Sequence, residues 1–233
     1  DNTLWGGIVG EDGVNQLNLN YEEKGYSFLQ LQRYLLDLYE KGVLLALCSK
    51  NTESVALEVF EKREEMILKK DHFVDIQINW EPKSKNIKQI LSNLNLTSNG
   101  CVFLDDSHFE RAEVKNALPE VSVPDLPEDH GQWINHLLSS GIFTTPKLNA
   151  DDLKRQESYQ VEKKRKKEQQ SFSNLGDFLK SLQLELIPHK INKENLARVS
   201  ALVGKTNQFN LTTKRHTKAQ IESFLNDSDH HLY

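Results

Sequence analysis

Apolar and polar positions follow two rhythms along the first 140 residues. Leu29, Leu31, Tyr34, Leu35, Leu38 and Tyr39 recur near helical spacing across Tyr26–Lys41, and Gly42 stands where that helix should stop. Val43–Cys48 (VLLALC) is an unbroken apolar run, the pattern of a strand buried on both faces. Thr52-Glu53-Ser54 opens a second helix through Ala56, Val59 and Phe60. His72–Ile78 alternates as a short strand, and Glu81–Ser84 makes a turn. Ser84 is placed to cap a helix over Asn86–Leu94, with Ile87, Ile90, Leu91 and Leu94 on one face. Cys101–Leu104 reads as a buried strand, Val114–Leu118 as a short helix and Val121–Val123 as a strand before Pro124. Asp129–Ser140 is amphipathic through Trp133, Ile134, Leu137 and Leu138. Alternating strands and helices with short crossovers predict an α/β fold, a parallel sheet covered on both faces.

The rhythm breaks after residue 140. Asp151–Gln170 is strongly charged and contains the basic block KKRKK at Lys163–Lys167. Without interleaved aromatics, this block reads as a solvated helix face or linker rather than a phosphate-binding patch. Phe178, Leu179 and Leu182 then mark a helix, Leu184–Pro188 a strand, and Glu194–Val203 and Thr217–Leu225 two more helices. The expected organisation is a first domain over 1–145, a charged helical linker over 146–175 and the start of a second α/β unit over 176–233. The opening DNTLWGG and the closing DHHLY both look cut, so a fragment of a longer polypeptide is expected.

Composition narrows this picture. The 233 residues are 37% hydrophobic and 27% charged, which suits a soluble globular protein. A net charge of -5 argues against a general nucleic-acid binder. No run of eighteen apolar residues occurs, so no membrane span is expected. The two cysteines, Cys48 and Cys101, fall in predicted strands, which points to reduced thiols and a cytoplasmic protein.

Candidate chemistry gathers at the carboxyl ends of the predicted strands, where open parallel sheets bind ligands. Asp105-Asp106 follows the strand Cys101–Leu104, and alone this pair suits either a solvated turn or a cation site. Ser49 follows the strand Val43–Cys48, Lys83 stands at a helix start, and Asp1 and Thr3 open the chain ahead of a glycine-rich flap. Carboxylates and carbonyls suit Mg²⁺. A hydroxyl and an ammonium group suit transferring phosphoryl oxygens. The order acid–Thr, Ser, Lys, Asp-Asp is more specific than any one member.

This order resembles the haloacid dehalogenase (HAD) superfamily of phosphotransferases, whose motifs are Asp-x-Asp-x-Thr, Ser or Thr, Lys, and paired acids. The details are similar to its FkbH-like subgroup, of the uncapped subfamily III. They are DNTLWGGIVGEDG at Asp1–Gly13, LCSKN at Leu47–Asn51, EPKS at Glu81–Ser84 and FLDDSHFER at Phe103–Arg111. The likeness continues in VPDLPED at Val123–Asp129 and KTNQFNLTTKR at Lys205–Arg215. It implies a Rossmann-like parallel sheet with its first strand truncated here, followed by the start of an acyltransferase-like unit. Thr3 follows Asp1 by two positions, so Asp1 matches the second aspartate of the first motif. That aspartate is the family's general acid/base, and its backbone carbonyl helps hold Mg²⁺. The nucleophilic first aspartate would stand two positions upstream, so the chain as written is expected not to form an aspartyl-phosphate. Thr3, Ser49 and Lys83 match the phosphoryl-binding positions. Asp105 and Asp106 match the metal-binding pair, with the direct ligand left open between them.

The resemblance further implies a substrate and a partner. FkbH-like proteins take the three-carbon acyl phosphate 1,3-bisphosphoglycerate, release phosphate and load a glyceryl-type unit onto an acyl carrier protein in polyketide-type biosynthesis. The absence of a large insertion between the second and third motifs suits such a bulky acceptor. Cys48 is a candidate acyl acceptor if Lys50 or Mg²⁺ lowers its pKa, and a buried core thiol otherwise. Two further readings stand beside this one: a plain HAD phosphatase on another ester, and a non-catalytic docking domain of a larger synthase. Cys101 reads as structural, Trp5 as packing beneath the flap, and Glu110-Arg111 as a salt bridge. His230-His231 reads as incidental, and Asn207, Asn210, Thr212 and Thr213 carry no assignable chemistry.

Overall fold

The residues spaced for a helix form one, α2 (Glu23–Glu40), after a single short turn of helix, α1 (Val9–Asp12). Phe28, Leu29, Leu31 and Leu38 are buried along α2. Gly42 takes φ 91°, the left-handed conformation that glycine adopts without strain, and its N–H donates to the Tyr39 carbonyl at 2.8 Å to close the helix. A computed structural model describes residues 1–144, 159, 161, 165, 172, 174–185, 187–205, 214–225, 227 and 229. They fall into two units, Asp1–Ser171 and Phe172–Tyr233, divided inside the stretch expected to be a linker.

In the first unit β1 (Leu45–Ser49) leads into α3 (Glu53–Lys62), then β2 (Phe73–Ile78), α4 (Lys83–Leu94), α5 (His108–Ala117) and α6 (Trp133–Ser140). β1 and β2 pair in parallel, with Leu47 opposite Ile76 and Ser49 opposite Ile78. Leu45 and Leu47 pack with the cluster of Trp5, Phe28, Val59, Phe60 and Phe73, on the side of α2 and α3. Cys48, one residue out of phase, packs with Ile87, Leu91, Phe103 and Val114 of the α4–α5 side. β1 therefore has helices on both faces, as the alternating pattern requires. A third cluster, Leu31, Leu126, Trp133 and Leu137, seats α6 on α2.

The sheet differs from expectation in one respect. Residues 101–104 and 121–123 do run parallel, joined through the bridge Val102–Ser122, but they do not pair with β1. A groove of about 590 Å³ is lined by all of β1 and by residues 101–105. Ala46 is exposed and Leu47, Cys48 and Ser49 are only half-buried, because the edge of β1 away from β2 faces this groove. Two helices also begin earlier than their apolar faces suggested. α4 starts at Lys83 rather than beyond Ser84, and α5 starts at His108 with Ser107 as its cap. Two polar side chains, buried Gln32 and half-buried Arg63, tie the flap down. Gln32 donates to the Leu4 carbonyl and accepts from the Ile67 and Leu68 N–H groups. Arg63 donates to the carbonyls of Val14, Leu17 and Leu19.

In the second unit, three helices are described: α7 (Leu175–Ser181), α8 (Leu196–Lys205) and α9 (Lys218–Leu225). α8 packs on α9. The strand expected at 184–188 is not formed at its described residues, where Leu184 and Ile187 are exposed. A short apolar run becomes a strand only with a partner strand, and none is present among the described residues of this unit. Most of the KKRKK block, along with Asn207, Asn210, Thr212, Thr213, His230 and His231, lies outside the described residues. Among the described residues no helix is long and apolar enough to cross a membrane.

Candidate active site

The strand ends bring the sequence candidates together. Asp1, Thr3, Cys48, Ser49, Lys83 and Asp105 all line the groove beside β1. Asp106 is tied to them by Thr3, whose hydroxyl donates to its Oδ1 at 3.2 Å. Three N–H donors converge on the Asp1 carboxylate. Trp5 Nε1 and Val9 N reach Oδ1 at 3.0 Å each, and Asn51 Nδ2 reaches Oδ2 at 2.9 Å. Asn51 is buried and fixed in turn by accepting from Thr52 N. The Ser49 hydroxyl has no hydrogen-bond partner among the described residues and is free to meet a ligand. Its position is bracketed by Asn51, which touches Asp1, and by Cys48, whose thiol lies 3.8 Å from the Lys83 carbonyl oxygen.

Lys83 projects from the first turn of α4 and pairs with Asp105. The pair is well shielded, with side chains 12% and 5% exposed, and the ammonium also lies 5.9 Å from the centre of the Phe103 ring. Glu113 of α5 holds this end of α4 by accepting from the Ser84 N–H and hydroxyl. Ser84 thus meets a carboxylate from another helix instead of capping its own. Arg111, buried, donates from Nη1 to the carbonyls of both Asp105 and Asp106 at 2.7 Å. Glu110 pairs with Lys50 at 2.7 Å rather than with Arg111.

The carboxylates divide their work. Asp105 accepts from Lys83 and from Ser107 N, and Asp1 accepts from its three N–H donors. Asp106 keeps Oδ2 without a hydrogen-bond partner among the described residues. No cluster of three ligating side chains forms among them. A hard cation here would rest on Asp106, Asp105 and main-chain oxygen. That sparse set fits Mg²⁺, which binds through one or two carboxylates and keeps several waters.

Of the two readings of Cys48, an activated acceptor and a buried core thiol, its packing favours the second. Burial pushes its thiol up to about 12, and Lys83, the nearest cation acting on it, only partly offsets this. Lys50, the candidate for lowering it, is turned to Glu110. Burial also raises Cys101. We predict that an alkylating reagent at pH 7.5 leaves Cys48 unmodified in the folded protein and reacts with it in urea. Stoichiometric labelling of the native fold, read by mass spectrometry, would contradict this. The raised pKa also has a sign for stability. The folded state holds the proton more tightly, so the contribution is complete below about pH 9 and is lost as the pH rises toward 12.

No family model and no curated protein matches the chain. Among solved structures it is similar to the N-terminal part of the protein BF1531 from Bacteroides fragilis, which contains a phosphatase domain and was crystallised in complex with Mg. The two are 40% identical with a TM-score of 0.62, over 64% of this chain and 40% of that one. The fold is α/β, shared with a phosphatase domain. This chain spans 40% of the length of that relative.

Sequence reasoning missed Asn51, Trp5 and Glu113 as members of the site. Asn51 and Trp5 lay inside quoted motifs, and a buried polar side chain or an indole N–H beside an acidic strand end was the available signal. Glu113 had none, because its partner stands 29 positions away.

Proposed function

We propose that this chain is part of an Mg²⁺-dependent, HAD-type phosphatase. The observation that carries the reading is the convergence of Asp1, Ser49, Lys83 and Asp105 on one groove, with Asp106 joined through Thr3. The similarity to a phosphatase domain complexed with Mg supports it. Ser49 and Lys83 bind the phosphoryl oxygens, one by its free hydroxyl and the other by a shielded charge. Asp1, held by three N–H groups, handles the proton on the leaving or attacking oxygen. Asp105 and Asp106 would hold Mg²⁺, which when bound neutralises phosphoryl charge. The family's first motif would put a nucleophilic aspartate two positions before Asp1.

The finer reading places the chain in the FkbH-like subgroup, as a cytoplasmic enzyme that dephosphorylates 1,3-bisphosphoglycerate and loads a glyceryl unit onto an acyl carrier protein. The linked motifs support it. The second unit would then begin the acyltransferase-like part, although its described residues are helical. Burial of Cys48, which raises its pKa, favours a plain phosphatase, because an unactivated thiol is a poor acyl acceptor.

The test uses a polypeptide that includes the residues before Asp1. With Mg²⁺, phosphate should be released from 1,3-bisphosphoglycerate or a simple phosphate ester. Release should stop on chelation with EDTA and return when Mg²⁺ is restored. A pantetheinylated carrier present in the mixture gains a glyceryl mass under the finer reading and stays unchanged under the plain one. No phosphate release from any ester at saturating Mg²⁺ would sink the phosphatase reading.

A further inference from the structure

We infer that His130 is a positioning residue for the Asp1–Thr3 loop, acting through the main-chain carbonyl of Asn2. The inference deepens the phosphatase reading and rests on it for its link to turnover. His130 opens a short 3₁₀ turn, His130–Gln132, capped by Asp129, which accepts from Gly131 N at 2.9 Å and Gln132 Nε2 at 3.1 Å. The imidazole is sandwiched. It stacks on Trp133 with ring centres 4.5 Å apart and planes at 22°, and tilts against Phe28 at 4.8 Å. Trp133 is almost fully buried and donates its own Nε1 to the Pro127 carbonyl. Both aromatic neighbours therefore belong to the packed core, and the ring is held before it meets the loop.

The free edge of the ring points at one atom. His130 Nε2 lies 2.7 Å from the carbonyl oxygen of Asn2. A carbonyl only accepts, so Nε2 carries the proton and donates. Asn2 stands between the proposed acid/base Asp1 and the Thr3 that holds Asp106. It has φ 49°, in the left-handed region, and its side chain accepts from Gly7 N at 2.8 Å. Its neighbours diverge. The Asp1 carboxylate meets Trp5, Val9 and Asn51, while the Thr3 hydroxyl meets Asp106. Rotating the Asn2–Thr3 peptide would move both, and the bond from His130 opposes that rotation.

Position separates this role from mere packing. Asn2 and His130 line a cleft of about 410 Å³, together with Gly6, Gly7 and Lys24. Water from the cleft can replace the N–H donor at the carbonyl, so loss of the bond should be mild for folding. Water does not reproduce the fixed direction of a stacked imidazole, so the same loss should be felt in the geometry of the loop.

The test compares His130→Phe, which keeps a ring between Phe28 and Trp133 but has no donor, with His130→Gln, which restores an N–H at a similar reach. It uses the polypeptide that includes the residues before Asp1. His130→Phe is expected to melt within a few degrees of the parent, to keep KM within about twofold, and to lose about ten- to a hundredfold in kcat. His130→Gln is expected to recover most of that loss. Unchanged kcat in His130→Phe overturns the inference, as does failure of His130→Gln to recover when it is folded. A parent that releases no phosphate counts against the phosphatase reading alone. The positioning role is then read by NMR, where His130→Phe should shift the backbone signals of Asp1, Asn2 and Thr3. Unmoved signals overturn the inference without reference to turnover.

Discussion

In the polypeptide that includes the residues before Asp1, replacing Lys83 by methionine is expected to cut phosphate release about 10²–10³-fold or more and to destabilise the fold. Lys83 and Asp105 form an ion pair with side chains only 12% and 5% exposed. Removing the ammonium leaves a shielded carboxylate with the Ser107 N–H as its remaining donor. Breaking a buried pair from one side costs about 3–5 kcal/mol, mostly because the surviving charge is uncompensated. Loss of a cation aimed at phosphoryl oxygens costs about 10²–10³ in kcat on its own. The two effects can be separated. The double variant Lys83→Met, Asp105→Asn removes the stranded charge, so its urea midpoint should return most of the way to that of the parent. Its turnover should stay lost, because both the charge on the phosphate and a proposed metal ligand are gone. A Lys83→Met protein that releases phosphate at the parental rate would place Lys83 outside the chemistry and favour a non-catalytic role for the domain.

Why Lys83, Ser49 and Asp105-Asp106 were legible in the chain, while their supports were not, has a physical explanation. Each of these residues follows an apolar run or opens a helix, so local pattern alone puts it at a strand end. The supports act across sequence. Asn51 reaches Asp1 over 50 positions and His130 reaches Asn2 over 128, and no periodicity relates such partners. Trp5 was expected to pack, and it does, edge-on to Phe60 at 5.8 Å, but the same indole also donates to Asp1. Local pattern failed in the other direction at 184–188, where the apolar residues have no strand to pair with among the described residues of their unit. Cys48 shows the limit most clearly. The sequence left it open between a thiol activated by Lys50 and a buried one; Lys50 turns to Glu110, and the packing of the thiol against Ile87, Leu91 and Phe103 favours the buried one.

Asp1→Asn offers the other large effect, and its logic lies in donor and acceptor matching. Asparagine keeps one carbonyl oxygen, which can still accept from Trp5 Nε1 and Val9 N. Its amide nitrogen then faces Asn51 Nδ2, a donor against a donor. Asn51 cannot turn over freely, because its Oδ1 already accepts from Thr52 N at 2.8 Å. One buried N–H group loses its partner, at about 1–3 kcal/mol. Turnover should fall about 10²–10⁴-fold, the usual worth of a positioned acid/base. A second change, Asn51→Asp, restores the match, since a carboxylate at that position accepts from both the new amide and Thr52 N. The double variant should therefore regain the parental urea midpoint while turnover stays low, because the carboxylate has been moved rather than returned. Recovery of turnover together with stability would show that Asp1 serves only to hold the flap, and the acid/base role would have to be sought elsewhere in the groove.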